Sequence, residues 1–228
     1  MDVVILTGGL GSRLRSLVSD RPKTMASING RPFLDRVLEH LQGSGFCRFI
    51  LCAGYMADYI SDYYSQSNDS SRELILSREV LPLGTAGAVK NAEPLIHGDS
   101  FLVVNGDSFC AADLIAFMNF HQKHASLASI VLAHVEEVAS YGTVTRGQGD
   151  RIIRFEEKAA SGPGWINAGI YLFERDVLSL IPPASASSLE KDVFPRLAGN
   201  GLYGFSTREP MIDIGTPERL LTALKAFP

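Results

Sequence analysis

The chain has 228 residues, 46% of them hydrophobic and 20% charged, with a formal net charge of −4. That length can bury roughly 70% of its unfolded surface in one core, and the acidic balance excludes the concentrated basic face that nucleic acid requires. No apolar run approaches the roughly 20 residues that cross a bilayer, and the opening "MDVVILTGG" has neither a basic leader nor a cleavage site, so a cytoplasmic protein without nucleic-acid or membrane partners is expected.

In chain order, the apolar runs "VVIL" (3–6), "FILCA" (49–53), "LIL" (74–76) and "FLVVN" (101–105) are each followed by a turn signal and mostly by a helical pattern. The segments 32–45 and 113–124 carry apolar residues at helical spacing. Strands alternating with helices predict an α/β sheet, mixed and mostly parallel, with helices on both faces and ligands beyond the carboxyl ends of the strands. From about 127 the rhythm changes. "LASIVLAHV" (127–135), "GTVTR" (142–146), "RIIRFEEK" (151–158) and "WINAGIYLFE" (165–174) read as strands with short connections, the second and third joined as a hairpin through "RGQGD". "PPASASS" (182–188) reads as a surface loop leading into a helix near 188–198. A last helix starts at Thr216 as N-cap with Pro217 at its first position, and sets Leu220, Leu221 and Leu224 at core spacing. A single domain over 1–228 is expected, its rhythm dividing it into a first half at 1–126 and a second at 127–228.

Cys47, Cys52 and Cys110 are too few and too irregularly spaced for a disulfide framework or zinc site and read as small core residues. His121 and His124 share a helix face with no evident third ligand and read as solvated.

The chemistry starts at "LTGGLGSRLR" (6–15), where an apolar strand breaks into glycines and then arginines. Glycines expose backbone N–H groups and let a ligand approach closely, so the loop is suited to an anion. It is not the dinucleotide fingerprint, because Leu14 stands where the third glycine belongs, and Gly11-Ser12-Arg13 is not the Gly-Lys-Ser/Thr ending of a nucleoside-triphosphatase loop. "DRPKTM" follows, with Pro22 restricting the backbone before Lys23. "VVNGDS" sets Asp107 directly after a buried strand and "MIDIGT" repeats the arrangement at Asp213. Each aspartate alone could cap a loop or helix. Together with the glycine loop, Arg13 and Lys23, they form a kit for Mg²⁺ and a nucleoside triphosphate, because magnesium shares hard oxygen ligands with phosphates. "FEEKA" sets Lys158 beside Glu156 and Glu157, by itself the pattern of a solvated charged face, while Asn167 in "NAGIY" and Gly142 in "SYGTV" suit a hydroxyl-rich ligand.

In this order and spacing, "GGLGSRLR", "RPKTM", "LGTAGAV", "NGD", "YG", "FEEK", "NAGIY" and "DIGTPE" resemble the sugar-1-phosphate nucleotidyltransferases. The resemblance covers nearly the whole chain and is nearest to the D-glycero-α-D-manno-heptose 1-phosphate guanylyltransferases. It implies a Rossmann-like nucleotide-diphospho-sugar transferase fold and the reaction of a nucleoside triphosphate with a sugar 1-phosphate to give a nucleotide sugar and pyrophosphate. It assigns Leu6, Gly8, Gly9, Gly11, Ser12, Arg13, Glu79, Gly84 and Thr85 to the nucleotide, and Arg13, Lys23, Asp107 and Asp213 to catalysis. Asp107 and Asp213 would hold Mg²⁺. Asn105, Gly142, Glu157, Lys158 and Asn167 would bind the sugar phosphate, so that 1–126 would form a nucleotide-binding half and 127–228 a sugar-phosphate-binding half. Ser12 replaces the family's commoner threonine, and Ala159 stands where proline is usual after Lys158. Glu79, five residues before Gly84, would read guanine, since a carboxylate accepts from both N–H groups of that base's Watson–Crick edge. GTP and D-glycero-α-D-manno-heptose 1-phosphate are thus the expected substrates. Mannose 1-phosphate guanylyltransfer, N-acetylmuramate 1-phosphate uridylyltransfer and a non-catalytic nucleotide-sugar-binding regulator are the alternatives, and a homodimer stays open.

Overall fold

The computed structural model describes residues 1–227 except Leu10, Ser12, Arg15, Ser16, Ser67, Asn68, Ser140 and 158–160, and it describes Glu156 and Glu157 by their backbone. In chain order the elements are β1 (Val3–Leu6), β2 (Ser27–Ile28), β3 (Arg31–Pro32), α1 (Phe33–Gly43), β4 (Arg48–Ala53), α2 (Ala57–Ser65), β5 (Glu73–Arg78), α3 (Gly84–Asn91), β6 (Ser100–Asn105), β7 (Ser108–Cys110) and α4 (Leu114–Lys123). After them come β8 (Ala128–Val135), β9 (Gly142–Arg146), β10 (Ile152–Glu157), β11 (Gly164–Glu174), α5 (Phe194–Leu197), β12 (Leu202–Thr207), β13 (Met211–Asp213) and α6 (Pro217–Ala226).

The main sheet runs β10-β9-β11-β6-β1-β4-β5, with β8 joined to β11 and β12 to β8. β1 lies between β4 and β6 and is parallel to both, and β4 is parallel to β5. β11 is antiparallel to β6, β8 and β9. The mixed sheet follows from the sequence rhythm: helices cross over the first strands, while short turns return the later ones. Strand alternation sends Val3 and Ile5 to one face of β1 and Val4 to the other, all fully buried. The first face is covered by α1, α2, α4 and α6 through Leu34, Leu38, Ile60, Phe117 and Ala223, and the second by α3 and the 177–197 region through Val89, Leu178, Leu189 and Phe194. A fully buried side chain of this size stabilises the fold by about 1.5–3 kcal/mol, so the central strand that carries the glycine loop is held rigidly from both sides.

Caps mark two helix starts. The Asp113 carboxylate accepts from the Ala116 N–H at 2.9 Å to open α4, and the Thr216 hydroxyl accepts from the Arg219 N–H at 3.4 Å to open α6. Four expectations need correction. Cys47 is exposed, whereas Cys52 and Cys110 are buried. His121 is buried rather than solvated. Leu221 is exposed, because α6 turns Leu220 and Ala223 inward and rotates position 221 out. The 182–188 segment is not merely superficial: Ser187 is buried and its carbonyl accepts the Ala86 N–H at 3.0 Å. The helix expected near 188–198 is present, as a wide π-helical turn at Leu189–Val193 that runs into the short α5.

Candidate functional site

The carboxyl ends of β1, β4, β5 and β6 open into one cleft. Backbone bonds fix its floor: the Thr7 N–H and hydroxyl both donate to the Cys52 carbonyl, at 2.9 and 2.7 Å, and the Gly106 N–H donates to the Leu6 carbonyl at 3.0 Å. The glycine loop leaves β1 directly above. At Gly8 a Cβ would meet Glu79 Oε1 at 2.7 Å and the Gly54 nitrogen at 3.3 Å, so a side chain there would displace the Glu79 carboxylate and press on the Gly54 backbone.

Three adjoining cavities make up the cleft. The first, about 170 Å³, is lined by Leu6, Gly8, Gly9, Glu79, Pro82, Gly84, Thr85 and Ala88. It is an apolar slot with a single carboxylate. Burial pushes the Glu79 carboxyl up from its ordinary value, opposed by the Leu83 N–H that donates to Oε2 at 3.1 Å. The second cavity, also about 170 Å³, shares Leu6, Gly9 and Thr85 with the first and adds Lys23, Thr24, Asn105 and Asp107. The third, about 240 Å³, shares Lys23, Asn105 and Asp107 with the second and adds Arg13, Tyr141, Gly142, Asn167, Glu190, Asp213 and Arg219.

Among the described residues, two ion pairs stand in the third cavity. Lys23 Nζ lies 2.5 Å from Asp107 Oδ2, with the lysine side chain largely buried. Asp213, on β13, is brought beside β7 by antiparallel pairing that sets it opposite Ser108. Arg219 Nη1 spans both Asp213 oxygens at 3.0 and 2.9 Å, the Gly215 N–H donates to Oδ1 at 2.8 Å, and the Tyr141 hydroxyl donates to Oδ2 at 3.3 Å. The Arg219 guanidinium lies over the Tyr141 ring, 4.4 Å from its centre. Burial, then the Asp213 charge, raises the Tyr141 phenol, which keeps it a donor at neutral pH.

A second set of bonds ties the two ends of the cleft. The Thr85 hydroxyl donates to Glu190 Oε2 at 2.9 Å and accepts the Leu189 N–H at 2.8 Å. The Ser188 hydroxyl also donates to Glu190, at 2.8 Å. The amino end of α3 is thus closed by the 185–190 segment, whose Ser187 carbonyl takes the Ala86 and Gly87 N–H groups. On β11, the Asn167 amide donates to the buried Tyr171 hydroxyl at 2.8 Å and its Oδ1 accepts the Gly169 N–H at 2.9 Å. Burial, then the Glu190 charge, raises the Tyr171 phenol well above its ordinary value. Asn105 Oδ1 is buried and finds no donor among the described residues.

The residues singled out by sequence therefore fall into two groups on one surface. Leu6, Gly8, Gly9, Glu79, Gly84 and Thr85 line the apolar slot, and Arg13, Lys23, Asn105, Asp107, Gly142, Asn167 and Asp213 line the charged end. Gly11 packs against the Lys23 side chain. Ser12, Lys158 and the Glu157 side chain lie outside the described residues. Thr7, Thr24, Tyr141, Glu190 and Arg219 were not singled out. Only Arg219 gave a local signal, as a cation in the first turn of a helix where the backbone dipole disfavours positive charge.

Among the described residues no group of three or more His, Cys, Asp and Glu side chains could hold a metal ion. Asp107 and Asp213 do face the same cavity with hard oxygen donors. This donor set fits a magnesium site that phosphate oxygens complete, since magnesium is commonly held by one or two carboxylates plus substrate phosphates.

The chain matches the family model described as nucleotidyl transferase over residues 2–227. It is 33% identical over 222 residues to the mannose-1-phosphate guanylyltransferase of Mycobacterium tuberculosis, covering 96% of this chain and 62% of that protein. It is also 33% identical over 226 residues to the D-glycero-alpha-D-manno-heptose 1-phosphate guanylyltransferase of Aneurinibacillus thermoaerophilus, covering 99% and 97%. The crystal structure of HddC from Yersinia pseudotuberculosis complexed with GMP-PN superimposes with a TM-score of 0.89 at 37% identity, covering 100% of this chain and 99% of that one. The chain thus spans less than two thirds of the first of these relatives and nearly all of the second.

Proposed function

The chain belongs to the nucleotidyl transferase family, and on that footing we propose that it is a sugar-1-phosphate guanylyltransferase, acting on GTP and D-glycero-α-D-manno-heptose 1-phosphate. The observation that carries the reading is the division of one cleft into an apolar slot with a lone carboxylate and an adjoining chamber lined by charged side chains of both signs. A flat base fits the slot, with Glu79 accepting from both N–H groups on the guanine edge. Triphosphate and sugar phosphate then meet in the chamber, near Arg13, Lys23, Asn105, Gly142 and Asn167. Glu157 and Lys158 are assigned to the sugar phosphate on the motif alone. The heptose is supported by the Aneurinibacillus relative, and mannose 1-phosphate by the mycobacterial one.

The attacking sugar phosphate oxygen is already anionic at neutral pH, so the reaction requires no protein nucleophile or base. The chain's contribution is to align that oxygen with the α-phosphorus and to neutralise charge on the departing pyrophosphate through Arg13 and Lys23. Lys23 starts from Asp107 and Arg13 from the chamber wall. Asp107 and Asp213 would hold Mg²⁺, which when bound supplies further neutralisation of the phosphate charge.

Pyrophosphate release with Mg²⁺, measured for GTP, UTP, CTP, ATP and dTTP against heptose and mannose 1-phosphates, tests the reading. Release confined to GTP with the heptose phosphate is expected. Turnover with mannose 1-phosphate instead would correct the sugar, and turnover with UTP would overturn the base assignment. Silence in every pair, with nucleotide still bound, would favour a regulatory protein.

A further inference from the structure

Both aspartates of the chamber are paired with a cation of the chain itself. Lys23 neutralises Asp107, and Arg219 neutralises Asp213. The second pair is unusual on its own terms. Arg219 stands in the first turn of α6, where the helix dipole disfavours a cation, so its placement is stabilised by what it meets rather than by the helix. It meets Asp213 through a single nitrogen that spans both oxygens, at 3.0 and 2.9 Å, not through the stronger two-nitrogen fork. The Asp213 side chain is 9% exposed and also takes the Gly215 N–H and the Tyr141 hydroxyl. Leaving a carboxylate so buried without any cation would be costly. While it holds Asp213, the guanidinium also lies over the Tyr141 ring, 4.4 Å from its centre, inside the same chamber.

We propose that Arg219 is a built-in stand-in for the divalent cation at Asp213, occupying that carboxylate until phosphate groups enter the chamber and draw the guanidinium off. The inference rests on the guanylyltransferase reading for the identity of those phosphates, and on the geometry above for the competition. It makes Arg219 a positioning residue: it touches the carboxylate and sets when the cation can bind. The bare protein then binds divalent cation weakly, and the charged chamber assembles only with the triphosphate present.

The test is Mn²⁺ binding to the full chain, followed by the electron paramagnetic resonance signal of the free ion. Without nucleotide, Arg219→Ala is expected to bind Mn²⁺ about fivefold more tightly than the parent, the scale of a partly exposed ion pair. Arg219→Lys, which restores a cation, should return to near the parent value. Arg219→Ala combined with Asp213→Asn should lose the gain. With GTP bound, the parent and Arg219→Ala should converge. Unchanged or weaker Mn²⁺ binding in Arg219→Ala overturns the proposal, as does a gain that survives Asp213→Asn, or no binding in either protein. A purely structural ion pair would lower the melting temperature of Arg219→Ala and leave its Mn²⁺ affinity where it was. If that variant does not fold, Arg219→Gln decides, since it keeps the stem beside Tyr141 and removes the charge. Because cation binding is read directly, failure of GTP turnover would sink the guanylyltransferase reading without deciding this one.

Discussion

On the side built by β1, β4, β5 and β6, the cleft is lined from the ends of parallel strands, whereas on the side built by β8, β9 and β11 it is lined from within a strand and by segments that return from far along the chain. Leu6, Asn105 and Asp107 sit at or just past strand ends, where the glycine loop and the "NGD" turn emerge. Asn167 lies inside β11, at the point where its register with β8 shifts between Asn167 and Tyr171. Glu190 and Asp213 reach the cleft from 189–193 and from β13. Chemistry at strand ends depends on one local turn. Chemistry on the other side depends on the whole antiparallel half being seated against the first, and that seating is what single substitutions can probe.

The largest effect should fall on the strand-end side. Lys23→Ala removes the cation that faces Asp107 and is expected to lower kcat/KM by about 100-fold or more, equivalent to about 3 kcal/mol, by comparison with loss of a single donor at an oxyanion site. Asn167→Ala should instead raise KM for the sugar phosphate with less change in kcat. Steady-state kinetics with each substrate varied separates the two. Equal effects on both sides would erase the distinction between strand-end chemistry and mid-strand recognition.

The seating itself is tested at Gly84. Its φ is +71°, and a Cβ there would approach the Ser187 carbonyl oxygen to 2.5 Å. Gly84→Ala therefore strains the backbone and pushes the 185–190 segment off α3, at a cost of about 2–3 kcal/mol. For a chain of this size that corresponds to a fall in Tm of about 5–10 °C by calorimetry. An unchanged Tm would show that the returning segment is not held on α3.

At the apolar slot, Glu79→Gln should lower kcat/KM for GTP by about 1–2 kcal/mol, because one guanine N–H loses its acceptor. The carboxyl is raised by burial, so GTP KM should climb as pH falls through that raised pKa and the group becomes protonated. The stability linkage has the opposite sense. The folded state binds the proton more tightly than the unfolded chain, so this contribution is fully present below the ordinary value of 4.5 and is lost as pH rises through the folded pKa. Glu79→Gln should flatten both slopes. A GTP KM that stays level with pH would mean that Glu79 does not read the base.

These contrasts also say what could be read in advance. The parallel half was legible because an apolar run followed by glycines, or by Asn-Gly-Asp, fixes both a strand end and what stands on it. Asp213 was legible for the same reason. Glu190 was not, since "SSLEKD" carries no local mark of facing a cavity, and its position depends on Thr85, 105 residues earlier in the chain. Tyr141 stood beside the glycine of "YG" and was passed over because a half-buried tyrosine is ordinary in a core. Arg219 broke a helix rule, and the partner that explains it became visible only once β13 paired with β7.

The smallest effect belongs to the antiparallel half away from the cleft. His121 of α4 lies between Ser129 of β8, Nδ1 to Oγ 2.8 Å, and Glu174 of β11, Nε2 to Oε1 3.0 Å. The order serine, histidine, acid invites a catalytic reading, but Ser129 is 0% exposed and His121 2%, so no substrate reaches either. The trio joins a helix to two strands. A carboxylate only accepts, so Nε2 carries the proton toward Glu174 and the neutral ring takes the Ser129 hydroxyl at Nδ1. Burial lowers the His121 pKa, and the Glu174 charge opposes that without reversing it. A lowered histidine pKa means that the unfolded chain takes up the proton first. Stability from this group is therefore fully present above the ordinary value of 6.5 and is lost as pH falls through the folded pKa. Protonation at Nδ1 also turns that nitrogen into a donor and ends its acceptance of the Ser129 hydroxyl. Urea unfolding at pH 7.5 and 5.5 should give a lower midpoint at the acid value for the parent protein. His121→Gln should cost about 1 kcal/mol at neutral pH, the scale of a lost hydrogen bond, and should shrink the difference between the two midpoints. Kinetics at neutral pH should not change, which would set this polar cluster apart from those of the cleft as structural alone. A parent midpoint that does not fall at pH 5.5 would mean that the ring gains more from Glu174 than burial takes away.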